Sequence, residues 1–162
     1  MTAEAPAAAE YQLKAAFVYN FAKFIEWPPS SFPTASSPFV IGVTGRTALT
    51  TALETAVTNR KINGRAIVIK AVETIEATRG THLLFVAASE DKRLREFVPV
   101  LSPAQILTIG ESEAFAKEGG IINFVLEGDK CRFDINVDAA ERAQLKISAQ
   151  LLKLARNVRR SR

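Results

Sequence analysis

Few residues in this chain have side chains suited to catalysis. Among 162 residues there is one histidine, His82, and one cysteine, Cys131. His82 opens the apolar run Leu83-Leu84-Phe85-Val86, with neither a cysteine nor a serine elbow to accompany it, so it is expected to be a hydrogen-bonded structural histidine and not a general base. Cys131 alternates with Phe133 and Ile135 and is predicted to be a buried, inert thiol. Zinc needs several His or Cys ligands at suitable spacing, which two such residues cannot supply, so no metal is expected. The acids Glu90-Asp91 and Glu111-x-Glu113 fall at predicted helix starts, where carboxylates are favoured in any case. No catalytic residue and no cofactor is assigned.

One stretch has the chemistry of a ligand site. Gly42-x-x-Gly45-Arg46-Thr47 follows a predicted strand and opens a helix, where free amides can hold an anion. It lacks the full glycine spacing of a dinucleotide motif and the lysine of a P-loop. In parallel α/β sheets ligands settle outside the carboxyl ends of the strands, and Thr44, Arg46, Ser89, Glu111 and Ser112 all fall at that edge. Caps and turns occur at every strand-to-helix junction, so a small-ligand crevice and ordinary capping both remain open.

Hydrophobic periodicity places these residues. An opening helix is predicted from about Ala8 to Trp27, stopped by Pro28-Pro29; its apolar arc spans about 200°, twice what a surface helix needs, with Lys14 interrupting it. Strands follow at 39–43, 66–71, 82–87 and 105–109, separated by helices at about 48–57, 90–98 and up to Lys117. Ile121 to Leu126 is apolar at both parities and is predicted to be a central strand. Glu127-Gly128-Asp129 turns it into the alternating strand Cys131–Asn136. A final helix is expected from Asp138, with Glu141 three residues on, to about Val158. On that helix Ile147, Leu151 and Leu154 form one stripe, and Leu145 and Leu152 a second that faces a lesser contact or a partner. The predicted fold is a single three-layer α/β domain with a mostly parallel central sheet, a C-terminal β-hairpin and long N- and C-terminal helices.

Length and 48% hydrophobic content suit one core, spanning 10–158, with a frayed start at 1–9 and a basic tail at 159–162. The net charge, 21 − 17 = +4, does not dictate a nucleic-acid partner, and no segment interleaves basic with exposed aromatic residues. Much of the excess lies in Arg156, Arg159, Arg160 and Arg162, expected to offset a helix dipole. No run reaches the length of a membrane span, and the first residues lack the pattern of a signal peptide.

Several stretches together resemble the YfiR-like family. They are Ala15-Ala16-Phe17-Val18-Tyr19-Asn20-Phe21-Ala22-Lys23-Phe24-Ile25-Glu26-Trp27-Pro28 near the start, Leu83–Val86, Ile106–Gly110 and Gly119-Gly120-x-Ile122-Asn123-Phe124 in the middle, and Arg132–Asn136 with Leu145-Lys146-Ile147-Ser148 at the end. The resemblance implies a periplasmic protein, its export signal already removed. It would bind the periplasmic domain of an inner-membrane diguanylate cyclase, or of a sensor kinase, and restrain cyclic di-GMP synthesis. Surplus apolar surface at Phe17, Phe24, Leu145 and Leu152 would serve that partner or a homodimer. The competing expectation is a periplasmic small-molecule sensor or carrier using the crevice.

Overall fold

The computed structural model describes residues 4–45, 48–101 and 104–160. Helix α1 (Glu4–Lys23) starts earlier than the alanine-rich leader suggests and stops before Trp27. The chain then extends as β1 (Ile25–Glu26), because Ile25 and Glu26 pair antiparallel with Ile147 and Lys146, and Ser148 N–H donates to the Phe24 carbonyl at 3.0 Å. Long-range pairing within the chain overrides helix propensity here.

The elements come along the chain as expected, with the short strand β3 added: β2 (Phe39–Thr44), α2 (Leu49–Ala56), β3 (Lys61–Ile62), β4 (Arg65–Ala71), β5 (Leu83–Val86), α3 (Leu94–Leu101), β6 (Leu107–Gly110), α4 (Glu113–Lys117), β7 (Ile122–Glu127) and β8 (Lys130–Asn136). A 3-10 segment, Ala88–Arg93, stands where helix was expected from Glu90. From edge to edge the sheet runs β10-β8-β7-β6-β5-β2-β4-β3, with β10 (Asn157–Arg159) the last strand of the chain. All pairings are parallel except β7 with β8 and β3 with β4. Gly128, at φ +64, turns the β7–β8 hairpin.

Each strand feeds both faces by parity. Leu83 and Phe85 enter the larger core with α1, α2 and the hairpin, while Leu84 and Val86 enter a smaller core with Phe97, Leu101 and Phe115. Phe115 is wedged against two glycines: a Cβ on Gly110 would lie 2.2 Å from its ring, and one on Gly120 2.0 Å away.

The long C-terminal helix is absent, which corrects the sequence expectation. The segment is instead α5 (Val137–Arg142), β9 (Lys146–Ile147), α6 (Ala149–Leu154) and β10. Helix α5 is capped by Asn136, whose side chain accepts from Ala139 N–H at 3.0 Å, and not by Asp138. It ends in a Schellman arrangement: Gln144 takes φ +64, its N–H donates to the Glu141 carbonyl at 2.9 Å, and Leu145 N–H reaches the Ala140 carbonyl at 2.9 Å. Ser148 caps α6 by accepting from Leu151 N–H at 3.2 Å. The basic tail does not follow a helix either: Arg159 belongs to β10, and Arg160 lies 3.5 Å from Asp138. Arg156 fastens this edge through two bonds to Asp134, at 2.9 and 2.7 Å, and one to Glu127 at 3.0 Å.

Candidate functional site

The strand registers decide which residues meet at the carboxyl edge. Thr44 stands opposite Val86, Val86 opposite Gly110, and Gly110 opposite Asn123, so the residues that follow emerge side by side. The chain leaves β2 toward β4, returns to the other side of β2 as β5, and continues outward through β6 and β7. Right-handed crossovers then put α2 and α3 on opposite faces, which opens a crevice between β2 and β5.

That crevice is a cleft of about 800 Å³ lined by Val43, Thr44, Gly45, Thr50, Ala71, Val72, Glu73, Ser89, Glu90 and Arg93. Gly45, at φ +92, brings its backbone against the start of the 3-10 segment; a Cβ there would meet Ala87 Cβ at 2.8 Å and Ser89 Oγ at 2.9 Å. Thr44 is fully buried, and its hydroxyl has no hydrogen-bond partner among the described residues. Arg93 donates to Glu90 at 3.2 Å, with its guanidinium 4.6 Å over the Phe97 ring.

Of the five residues expected at this edge, Thr44 and Ser89 line the cleft, and Arg46 lies outside the described residues. Glu111 and Ser112 lie at the same edge, but both are engaged elsewhere. Ser112 caps α4, accepting from Phe115 N–H at 3.1 Å and donating to Asp91 at 2.8 Å. Glu111 is the centre of a nearly buried cluster. One carboxylate oxygen accepts from Lys14 Nζ at 2.7 Å; the other accepts from Ala88 N–H at 3.0 Å and from the Tyr11 hydroxyl at 3.2 Å. Lys14, only 2% exposed, also pairs with Glu10. Burial alone would lower the Lys14 pKa; its hydrogen bonds to Glu10 and Glu111 outweigh that and raise it. Burial and the neighbouring Glu111 charge raise the Tyr11 pKa. A single carboxylate thus ties α1 to the backbone that leads into the cleft wall.

Sequence reasoning missed Lys14, Glu73 and Arg93. For Lys14 a signal was present: a lone cation inside an otherwise apolar arc, with Glu10 one helical turn before it. For Glu73 and Arg93 there was none, because only the strand order brings them beside β2.

His82 and Cys131 stand as expected. Val40 N–H donates to His82 Nδ1 at 3.0 Å, and the Nε2–H donates to the Ser31 carbonyl at 2.9 Å. The ring stacks on Phe32 and Phe39, with centroids 4.3 and 5.3 Å away, and burial lowers its pKa. Cys131 is 8% exposed, and burial raises its pKa.

The YfiR/HmsC-like sequence profile matches residues 11–156, nearly the whole chain. The chain belongs to the YfiR/HmsC-like family. That family is associated with periplasmic regulation of diguanylate cyclases. No curated protein sequence matches the chain. Two solved structures share its fold: a conserved domain protein from Vibrio cholerae (TM-score 0.62, 11% identity, 92% of this chain) and an ABC domain in complex with L-Trp from Streptococcus pneumoniae (TM-score 0.62, 12% identity, 90% of this chain). This chain spans 60% of the length of each.

Phe17 and Phe24 are half-buried, packing on the larger core, and Phe17 meets Phe124 and Phe133 at 6.0 and 5.7 Å. Phe24 also lines a groove of about 500 Å³ with Ile25, Ile147, Lys23 and Lys146. Leu152 is half-buried. Leu145 is 4% exposed and belongs to the core, so it offers no surface to a partner; the break after α5 turned it inward. Large apolar side chains are exposed instead at Leu13, Val68, Val100, Leu126, Leu154 and Val158. No described helix is long and apolar enough to cross a membrane.

Proposed function

We propose that this protein is a periplasmic negative regulator that binds the periplasmic domain of an inner-membrane diguanylate cyclase and thereby restrains cyclic di-GMP synthesis. Membership of the YfiR/HmsC-like family carries this reading. The exposed apolar residues on α1 and α6 support a direct contact, since desolvated apolar anchors supply most of the energy of such interfaces. The contact surface is assigned to Phe17, Phe24 and Leu152, extended by Leu13 and Leu154. Part of it also serves a homodimer. Regulation needs no catalytic group, and Glu90, Asp91, Glu111 and His82 are each engaged in structural bonds.

The test is capture of the purified periplasmic domain of a neighbouring membrane cyclase. Leu13→Glu and Leu154→Glu alter exposed positions, so both variants should fold while weakening capture at least tenfold. Replacing Arg159 and Arg160 should change capture far less, and mainly at low salt. Undiminished capture by both leucine variants would place the contact elsewhere.

A second reading is favoured by one observation, the cleft of about 800 Å³ at the carboxyl end of β2, with Thr44 and Ser89 among its lining residues. A cleft of that volume at the carboxyl ends of parallel strands suits a small molecule. On this reading the protein senses or carries a small molecule at Thr44 and Ser89.

A further inference from the structure

We propose that the chain forms a twofold dimer in which the outer edge of β4 pairs with the same strand of a second copy, antiparallel and centred on Ile69. This contact is additional to the surface of α1 and α6 assigned above. Strand β4 spans Arg65–Ala71, but β3 pairs only with Arg65 and Ala66. From Ile67 to Ala71 the outer side of β4 has no strand neighbour among the described residues.

The backbone determines which groups stand on that open side. Val72 N–H donates to the Val43 carbonyl at 2.9 Å, next to the facing pair Val43 and Ala71. Alternate residues of a paired strand turn N–H and C=O to the same neighbour, so Val68 and Lys70, which share the parity of Val72, face β2. Ile67, Ile69 and Ala71 therefore present both backbone groups outward. An apolar edge of this kind is a template for another strand. The opposite edge, β10, is shorter and carries Arg159, both of which discourage pairing.

Self-complementarity selects a second copy, and charge selects the register. Centred on Ile69, Ile69 exchanges both backbone bonds with the partner's Ile69, and Ile67 does so with the partner's Ala71. Val68, 43% exposed, then faces the partner's Lys70 at a position without backbone bonds, where side chains approach most closely and the lysine stem covers the valine. Centring on Lys70 would set two lysines face to face, which is unfavourable. Centring on Val68 would bring the partner's Ala71 onto Arg65, whose outer side β3 already holds. Ile67 and Ile69 pack half-buried against the larger core, so the pairing extends that core across the twofold axis.

Light scattering and sedimentation velocity on a dilution series of the full chain should show a monomer–dimer equilibrium. Val68→Lys should raise the dimer dissociation constant about tenfold or more, and adding Lys70→Glu should restore it, because positions 68 and 70 meet across the axis. Ala71→Pro removes an outward N–H and should also weaken the dimer. Val68 and Ala71 are exposed, so both single variants should retain their circular dichroism and urea midpoint. A chain that stays monomeric at every concentration overturns the proposal. So does a dimer that Val68→Lys and Ala71→Pro leave intact, whether or not Leu13→Glu or Leu154→Glu dissociates it. Dissociation by Val68→Lys that Lys70→Glu fails to restore overturns the register centred on Ile69.

Discussion

His82 holds the Pro/Ser-rich loop to the sheet only while its ring is neutral, since Nδ1 must accept the Val40 N–H. Its folded pKa lies below the ordinary 6.5, chiefly because burial penalises the charged ring. The unfolded chain therefore takes up the proton first as pH falls, so the stability contributed by the neutral ring is whole above about 6.5 and is lost below it. Urea midpoints measured from pH 7.5 down to 5.5 should fall for the native protein, and more shallowly for His82→Gln. Equal slopes would mean that other groups govern this range. Lys14 teaches a different lesson at the same scale. In the sequence it reads as a defect in an apolar arc; in the fold it is compensated by Glu10 and by Glu111, a residue 97 positions away. No local pattern contains that second partner. An uncompensated lysine at this depth would be costly, so the arc and the acid are one feature.

Among the elements, the parallel core strands and the β7–β8 hairpin were legible because each carries its own period and turn signals. The segment after β8 was not. Their apolar spacing fits one helix, yet the stop at Gln144 uses a left-handed residue that is not glycine, and the pairing of β9 with β1 joins residues 122 apart at Ile25 and Ile147. A stop made without glycine and completed by a distant strand leaves no signature in a local window. The break also changes the energetics of the leucines. Leu145 and Leu151 are both buried, so Leu145→Ala and Leu151→Ala should each cost about 2–5 kcal/mol. Leu154, 63% exposed, should tolerate alanine within about 0.5 kcal/mol. Urea unfolding of the three variants checks this; a mild Leu145→Ala beside a severe Leu154→Ala would restore the continuous helix.

At the level of the whole molecule, the cleft and the N-terminal half of α1 stand on one edge of the sheet because the strand registers align Thr44, Val86 and Gly110. Glu111 spans from one to the other. The candidate site was legible as an edge, from the alternation of strand and helix, but its charged members were not, since strand order is not written in any local stretch. The same edge depends on Phe115 filling the space that Gly110 and Gly120 leave open. Gly110→Ala alone should unfold at markedly lower urea, by about 1–3 kcal/mol for an overpacked core, and adding Phe115→Leu should recover part of that loss. A double-mutant cycle with no interaction energy would show that the ring yields freely. The lock also has a genealogical consequence. Three positions that share one volume can drift only together, so lineages of this fold should keep the aromatic ring with both glycines or lose all three, and intermediates bearing one change should be short-lived.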